Sequence, residues 1–231
     1  MIKKCSIMQP HFFPWSGYFN LINKCDIFIF LDDVQFSKNS WQVRNKLFVN
    51  KSIKWITVPT KKSSLKNTKI NEKIIDYNSK WKKKIIKTIM QNYSSFPGSE
   101  DLNTLMKKFN DDKSKNLADL NINLIKFICK KIFINTEMVR SSIFKIEKKR
   151  TDKVIDILKL TKSSEYISAI GSKDYLLEDD FKKKINIKLT FNNYQRDDYN
   201  NISKKIGDHN LSIIDVIANL GWKETSKYVK K

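Results

Sequence analysis

The apolar run Ile27–Leu31 (IFIFL) ends directly on two aspartates, Asp32 and Asp33. A short run without polar alternation suits a strand covered on both faces, as in a parallel sheet. A second strand candidate, Lys4–Met8, lies upstream and stops at Gln9-Pro10. Between the two strands, Pro14 and Gly17 shape a loop into a helix, with Ser16 a plausible N-cap and Tyr18, Leu21 and Ile22 at helical spacing. Strand, helix and strand in about thirty residues make a βαβ unit. Its crossover is expected to be right-handed and its strands parallel. Few other folds accommodate such a unit, and the expected class is α/β: a Rossmann-like three-layer sandwich with a mainly parallel sheet, an inserted β-hairpin and helices on both faces.

The remaining segments fit that class. Asn45–Val49 and Ile53–Val58 flank Asn50-Lys51-Ser52 and read as the hairpin. A lysine- and serine-rich loop follows, Thr60–Thr68. Ser79–Tyr93 predicts a helix, with Trp81, Ile85, Ile89 and Tyr93 as its buried stripe and Lys80, Lys84 and Lys87 on a solvated face. Further helices are expected at Leu102–Phe109, Leu117–Ile132, Thr151–Leu160 and Ser212–Leu220, the last ended by Gly221 as its C′ residue. Glu137–Ser141, Glu165–Ser168 and Ile187–Phe191 are strand candidates. No internal repeat or long low-complexity linker divides the 231 residues, so one domain spanning 1–231 is expected.

Composition excludes several classes. No apolar run approaches a membrane span, and the N-terminus MIKKCSIMQPHFF lacks a signal-peptide apolar core, which predicts a cytoplasmic protein. Cys5, Cys25 and Cys129 form no CxxC pair, and only His11 and His209 could join them, so a structural zinc site is not expected. Buried free thiols are. The formal charge of +21 would ordinarily indicate a polyanionic partner. Yet 41 of the 45 basic residues are lysine and four are arginine: Arg44, Arg140, Arg150 and Arg196. Lysine, asparagine and isoleucine rising together is the signature of AT-rich codons. Arginine, preferred for bidentate phosphate and base recognition, is what the chain avoids. Nucleic-acid binding therefore ranks below codon bias as the source of the charge.

Three constellations could carry chemistry. Gln9-Pro10-His11 falls at the C-terminal end of the first strand, the edge where open α/β sheets bind ligands. Gln9 can recognise an amide or hydroxyl, and His11 can move a proton near neutral pH. Asp32-Asp33 ends the second strand at the same edge, where one carboxylate could act as base or metal ligand and the other cap a turn. Gln35, Lys38, Trp41, Arg44 and Asn45 follow. Arg44 beside Trp41 either holds a phosphate or carboxylate or forms a salt bridge to Asp32 or Asp33. The third is Tyr166–Leu176, a strand running through Ser168, Gly171 and Ser172 into a helix that contains Tyr175. Ser168, Gly171 and Ser172 could cradle phosphate through backbone N–H groups, but the stretch matches neither a P-loop nor GxGxxG.

Taken together, QPHFFPWSGYFNLI, DIFIFLDDVQFSKNSWQVRNKL, WITVP, RTDKVIDILK, YISAIGSKDYL and NLSIIDVIANLG resemble the WbqC-like family over almost the whole chain. The family is found largely with bacterial surface-polysaccharide (O-antigen) genes. The resemblance implies transfer of glycine or another acyl group to an amino sugar. It places Gln9, Trp15 and Tyr18 in a first motif. Asp32, Asp33, Gln35, Lys38, Trp41, Arg44 and Asn45 fall in a second, and Ser168, Gly171 and Tyr175 in a third. Ala169 departs from a more usual glycine. On this reading Asp32, Asp33 or His11 takes the amine proton, and the other residues hold a small-molecule or nucleotide-sugar substrate. The donor is an activated acyl group: a thioester, an acyl-adenylate or an aminoacyl-tRNA. No resident metal is called for. Two alternatives stand beside it. One is a nucleotidyltransferase-like enzyme, since the layout is similar to the HxGH nucleotidyltransferases, with Trp15 and Tyr18 where that motif has histidines. The other is a non-catalytic binding protein of polysaccharide assembly.

Overall fold

The computed structural model describes residues 2–50, 52–63, 67–195, 197–199 and 210–231. Arg196, His209, the hairpin-turn residue Lys51 and the middle of the Thr60–Thr68 loop lie outside the described residues. Five strands build one sheet: β1 (Lys4–Met8), β2 (Ile27–Phe30), β5 (Glu137–Arg140), β6 (Glu165–Ala169) and β7 (Lys188–Asn192). Their order is β5-β2-β1-β6-β7, and every neighbouring pair is parallel. A separate antiparallel hairpin pairs β3 (Arg44–Val49) with β4 (Ser52–Thr57). The helices are α1 (Ser16–Asn23), α2 (Trp81–Tyr93), α3 (Ser99–Asp111), α4 (Leu117–Lys131), α5 (Arg150–Leu160), α6 (Lys173–Glu178), α7 (Phe181–Lys184) and α8 (Ile213–Val229). No helix among the described residues is long and apolar enough to cross a membrane.

Strand alternation sorts the core into two layers. Ile27 and Ile29 of β2 join Cys5, Ile7, Val154, Leu158 and Phe181 on one face. Phe28 and Phe30 point the other way, into a larger cluster with α1 to α4, α8 and the hairpin. The side chains of β2 are thus buried on both faces, as the unbroken apolar run requires. The stripe Trp81, Ile85, Ile89 and Tyr93 of α2 is buried as its spacing predicts. Cys5, Cys25 and Cys129 are buried free thiols, and burial pushes the Cys5 and Cys25 thiols up to about 12.

One local reading changes. Trp15 occupies the N-cap position of α1, and Ser16 is the buried first residue of the helix. Gly221 ends the first segment of α8 at a kink. It takes φ +67° and ψ 176°, and a second helical segment starts at once. The Asp101 carboxylate accepts the Trp222 N–H at 2.7 Å, supplying the cap that the second segment needs. A Cβ at position 221 would adopt an unfavourable φ and lie 2.9 Å from Asp101 Oδ2. At Gly171 a Cβ would meet open space. Gly221→Ala is therefore expected to lower unfolding stability by about 1–3 kcal/mol, with Gly171→Ala within about 0.5 kcal/mol of the parent. Urea denaturation followed by circular dichroism compares them, and equal midpoints for the two variants would contradict the kinked-helix account.

Candidate functional site

The C-terminal edge of the sheet is opened by an uneven ladder. β1 pairs with β2 over four residues, Cys5–Ile27 to Met8–Phe30. Its pairing with β6 covers only Lys4–Glu165 and Cys5–Tyr166. Beyond that point the Ser6 hydroxyl, donating to the Ile167 carbonyl at 2.9 Å, stands in for the ladder. The β1–β6 boundary is also where the chain's progression across the sheet reverses, the topological switch point at which doubly wound sheets bind ligands. A crevice of about 430 Å³ lies there, lined by Gln9, His11, Trp15, Tyr18, Gly171 and Tyr175 among others.

The loop from Gln9 to Trp15 forms its rim and is held through its carbonyls. The Tyr18 hydroxyl donates to the Gln9 carbonyl (2.9 Å), and the Asn121 amide to that of Pro10 (3.0 Å). The Asn45 amide reaches both Phe12 (3.1 Å) and Phe13 (2.7 Å), and the Ser212 hydroxyl also donates to Phe13 (2.8 Å). The N–H of Ile213 closes on Pro14 (2.9 Å). These bonds fix Phe13 at φ +42°, a conformation a phenylalanine rarely adopts unaided. Trp15 lies flat over Gly17, where a Cβ would fall 2.3 Å from the indole, so only glycine lets the ring wall the crevice.

His11 and Trp15 separate this crevice from a smaller cavity of about 130 Å³, lined also by Pro14, Trp41, Asn45 and Asn210. His11 packs on the Tyr18 ring at a centroid distance of 5.4 Å. Burial holds its imidazole down at about pKa 4, well below the ordinary 6.5. It is therefore neutral at pH 7, with lone-pair capacity on the ring. Two exposed indoles meet beside the smaller cavity, Trp41 (38% exposed) in the turn before β3 and Trp55 (44%) on β4. Their rings are 5.5 Å apart. The Arg44 guanidinium lies 4.2 Å from the Trp55 centroid, and Lys46 Nζ sits over both rings at 5.5 and 5.4 Å.

The paired aspartates have separate fates. Asp32 is fully buried and accepts from the Ser142 N–H (3.0 Å) and hydroxyl (3.0 Å) and from Ser141 (3.3 Å), capping the turn after β5. Arg140, at 3.9 Å, provides its nearby charge. Asp33 pairs with the buried Lys153 at 2.7 Å and accepts from the Ser141 hydroxyl. Arg44 stacks on Trp55 and forms no salt bridge to either aspartate. Gln35 lies at the same cleft as Asp33. Lys38 is on an exposed turn, and Ser168 is buried under the sheet edge with its hydroxyl toward Tyr166. The structure thus gathers Gln9, His11, Trp15, Tyr18, Gly171 and Tyr175 at one crevice, places Trp41 and Asn45 just across it, and leaves Asp32 and Ser168 inside the protein. Ser172 of the third constellation also lines the crevice, and Asn193 and Tyr194 join the wall without any motif signal of their own.

The His11 shift has a pH consequence. Above about pH 6.5 the imidazole is neutral in both folded and unfolded chains and contributes nothing. As pH falls toward 4, the unfolded chain takes a proton that the folded one refuses, so stability is lost across that window, by about 3 kcal/mol from this group. His11→Asn removes the effect. The stability difference between His11→Asn and the parent should move by that amount in the variant's favour from pH 7 to pH 4. A difference independent of pH, measured by urea titration, would show that His11 is not held neutral by burial.

No solved structure matches the chain. Rv1507c of Mycobacterium tuberculosis (strain ATCC 25618 / H37Rv), described as an uncharacterized protein, is 30% identical over 223 residues, which is 95% of each chain. The WbqC-like protein family model matches residues 9–227, a span that runs from the first residue of the crevice loop into α8. With that match over nearly its whole length, the chain belongs to the WbqC-like protein family.

Proposed function

We infer that the protein transfers an acyl or aminoacyl group, glycyl among them, from an activated donor to the amine of an amino sugar carried on a nucleotide, in surface-polysaccharide assembly. The observation that carries this reading is the pair of adjoining cavities that meet at His11 and Trp15. A group-transfer enzyme must hold two substrates with their reacting atoms in contact, and two adjoining cavities that share Met8, His11 and Trp15 in their lining suit that need. The larger crevice, with Gln9, Tyr18, Ser172 and Asn193 around it, accepts a hydroxyl-rich ring. The smaller cavity, lined by Trp41 with Lys46 over its ring, faces the donor.

The reaction joins the amine nitrogen to the donor carbonyl carbon and breaks the carbonyl bond to sulfur or oxygen. The free amine attacks, and the tetrahedral adduct carries a positive nitrogen far more acidic than an ordinary ammonium. Neutral His11 accepts that proton and returns it to the departing thiolate or oxyanion. Asp32 takes no part in this reading, because its oxygens are engaged by Ser141 and Ser142 inside the protein. Its role is to hold the turn after β5.

The test is incubation with nucleotide-linked amino sugars and, in parallel, acyl-coenzyme A, glycyl-adenylate and glycyl-tRNA, with mass spectrometry of the sugar product. A mass gain of one acyl group is expected, slowed about 100-fold by His11→Asn. Trp41→Ala should raise KM for the donor and leave KM for the sugar unchanged. No product with any donor, together with no thermal stabilisation by any nucleotide amino sugar, overturns the reading.

A further inference from the structure

Gln9 stands at the crevice with its carboxamide turned by a chain of hydrogen bonds that starts at a backbone amide. The Ser37 N–H donates to Gln42 Oε1 at 3.1 Å. A backbone N–H can only donate, so it fixes which end of the Gln42 carboxamide it meets. The other end, Nε2, donates to Gln9 Oε1 at 2.7 Å. Turning Gln42 over would set its amide nitrogen against the Ser37 N–H, two donors without an acceptor at a side chain that is 1% exposed. Gln42 is itself seated on the crevice loop. The Asn121 amide donates to the carbonyls of both Gln42 (2.8 Å) and Pro10 (3.0 Å), and the Phe12 N–H donates to that of Trp41 (2.9 Å). With Tyr18 on its own carbonyl, Gln9 is pinned at backbone and side chain alike.

The consequence is a fixed polarity. With Oε1 engaged by Gln42, Nε2 is the end of Gln9 left for a ligand. No described residue accepts from it, and it is not closed off from solvent. Asn192, also at the crevice, is spent by contrast: its Nδ2 donates to Asn20 (3.1 Å) and its Oδ1 accepts from Lys24 (3.0 Å). The lining also carries no formal charge. In a chain of 45 basic and 24 acidic residues, no Asp, Glu, Lys or Arg among the described residues lines this crevice, and burial keeps His11 neutral at pH 7. A charged group there would lose its hydration without a counter-charge, so an uncharged ligand suits the lining. An amide end that only donates is complementary to a carbonyl oxygen, which only accepts.

We propose that Gln42 is a positioning residue that presents the Gln9 N–H groups to the crevice, and that Gln9 there binds the acyl carbonyl oxygen of an uncharged N-acyl sugar. The orientation of Gln9 holds whatever the reaction, while the identity of the oxygen rests on the transfer reading above. In that reaction the amine nitrogen joins the carbonyl carbon as the C=O π pair moves onto oxygen, and the pair returns as the thiolate or oxyanion departs. Gln9 Nε2 donates to this oxygen while it carries the charge, and His11, two residues along the same loop, takes the proton from nitrogen. The same contact persists to the carbonyl of the N-acylated product.

Proton–nitrogen NMR of the side-chain amides in the full chain tests it, with N-acetylglucosamine as the probe and glucose as the ring without an acyl carbonyl. The Gln42 Nε2 protons should exchange with water more slowly than those of Gln9. N-acetylglucosamine should shift the Gln9 amide signal and bind more tightly than glucose. Gln42→Glu keeps the bond from Ser37 but cannot donate, so Gln9 turns over and the preference for N-acetylglucosamine is lost. Should that variant fail to fold, Gln9→Ala, at a half-buried side chain, removes the same preference. In the transfer assay Gln9→Ala should lower kcat about 100-fold with a smaller effect on KM. Equal exchange of the two amides, equal or absent binding of the two sugars by the parent, or a preference that survives Gln9→Ala overturns the assignment. No product in the transfer assay, with the Gln9 signal still answering to N-acetylglucosamine, counts against the transferase alone. Product formed by Gln9→Ala at the parent rate counts against this role of Gln9 alone.

Discussion

The carbonyls of Gln9, Pro10, Phe12, Phe13 and Pro14 accept hydrogen bonds from Tyr18, Asn121, Asn45, Ser212 and Ile213, and the rest of the site depends on those bonds. The donors come from α1, α4, the hairpin and the start of α8. A loop with this many buried backbone acceptors would be costly in an apolar surround. Each donor offsets that cost and at the same time fixes a neighbouring element in place. Ser212 shows the economy: its hydroxyl donates to Phe13 and accepts the Ile214 N–H, so one side chain ties the loop and caps α8. The strained φ of Phe13 persists because two hydrogen bonds donated to its carbonyl and the packing of its ring against Phe12 and Phe109 determine its position.

That anchoring decides what the crevice can be. With the loop fixed, His11 stands between two cavities. Burial then keeps it neutral. The short β1–β6 ladder separates the strand ends on one side of the loop, and the hairpin closes over the other. The two compartments are therefore consequences of sheet topology and of a rigid loop, and neither needs a mobile lid.

The basic charge resolves into unequal parts. Lys80, Lys84 and Lys87 are exposed on α2 and make no site. Arg44 and Lys46 are drawn onto indole faces at the hairpin, where an aromatic surface holds a cation without a carboxylate. Lys69, Lys145 and Lys149 line a concave surface and have no ion-pair partner among the described residues.

Much of this was legible in the sequence. The unbroken IFIFL run specified a doubly buried strand, the four-residue spacing of Trp81 to Tyr93 specified the buried face of α2, and two strand ends marked the edge where the crevice lies, because periodicity and local turn chemistry are properties of neighbouring residues. What the sequence could not decide was which groups at that edge would be free. Asp32 and Asp33 are adjacent in the chain yet point in different directions, one into a serine cap and the other onto Lys153, which lies 120 residues away. Arg44 met Trp55 across the hairpin and no aspartate. Asn45 became a brace because Phe12 and Phe13 presented carbonyls to it. Strand positions and helix faces follow from local order along the chain. Whether a carboxylate, amide or cation is engaged or available follows from long-range packing, which only the tertiary structure sets.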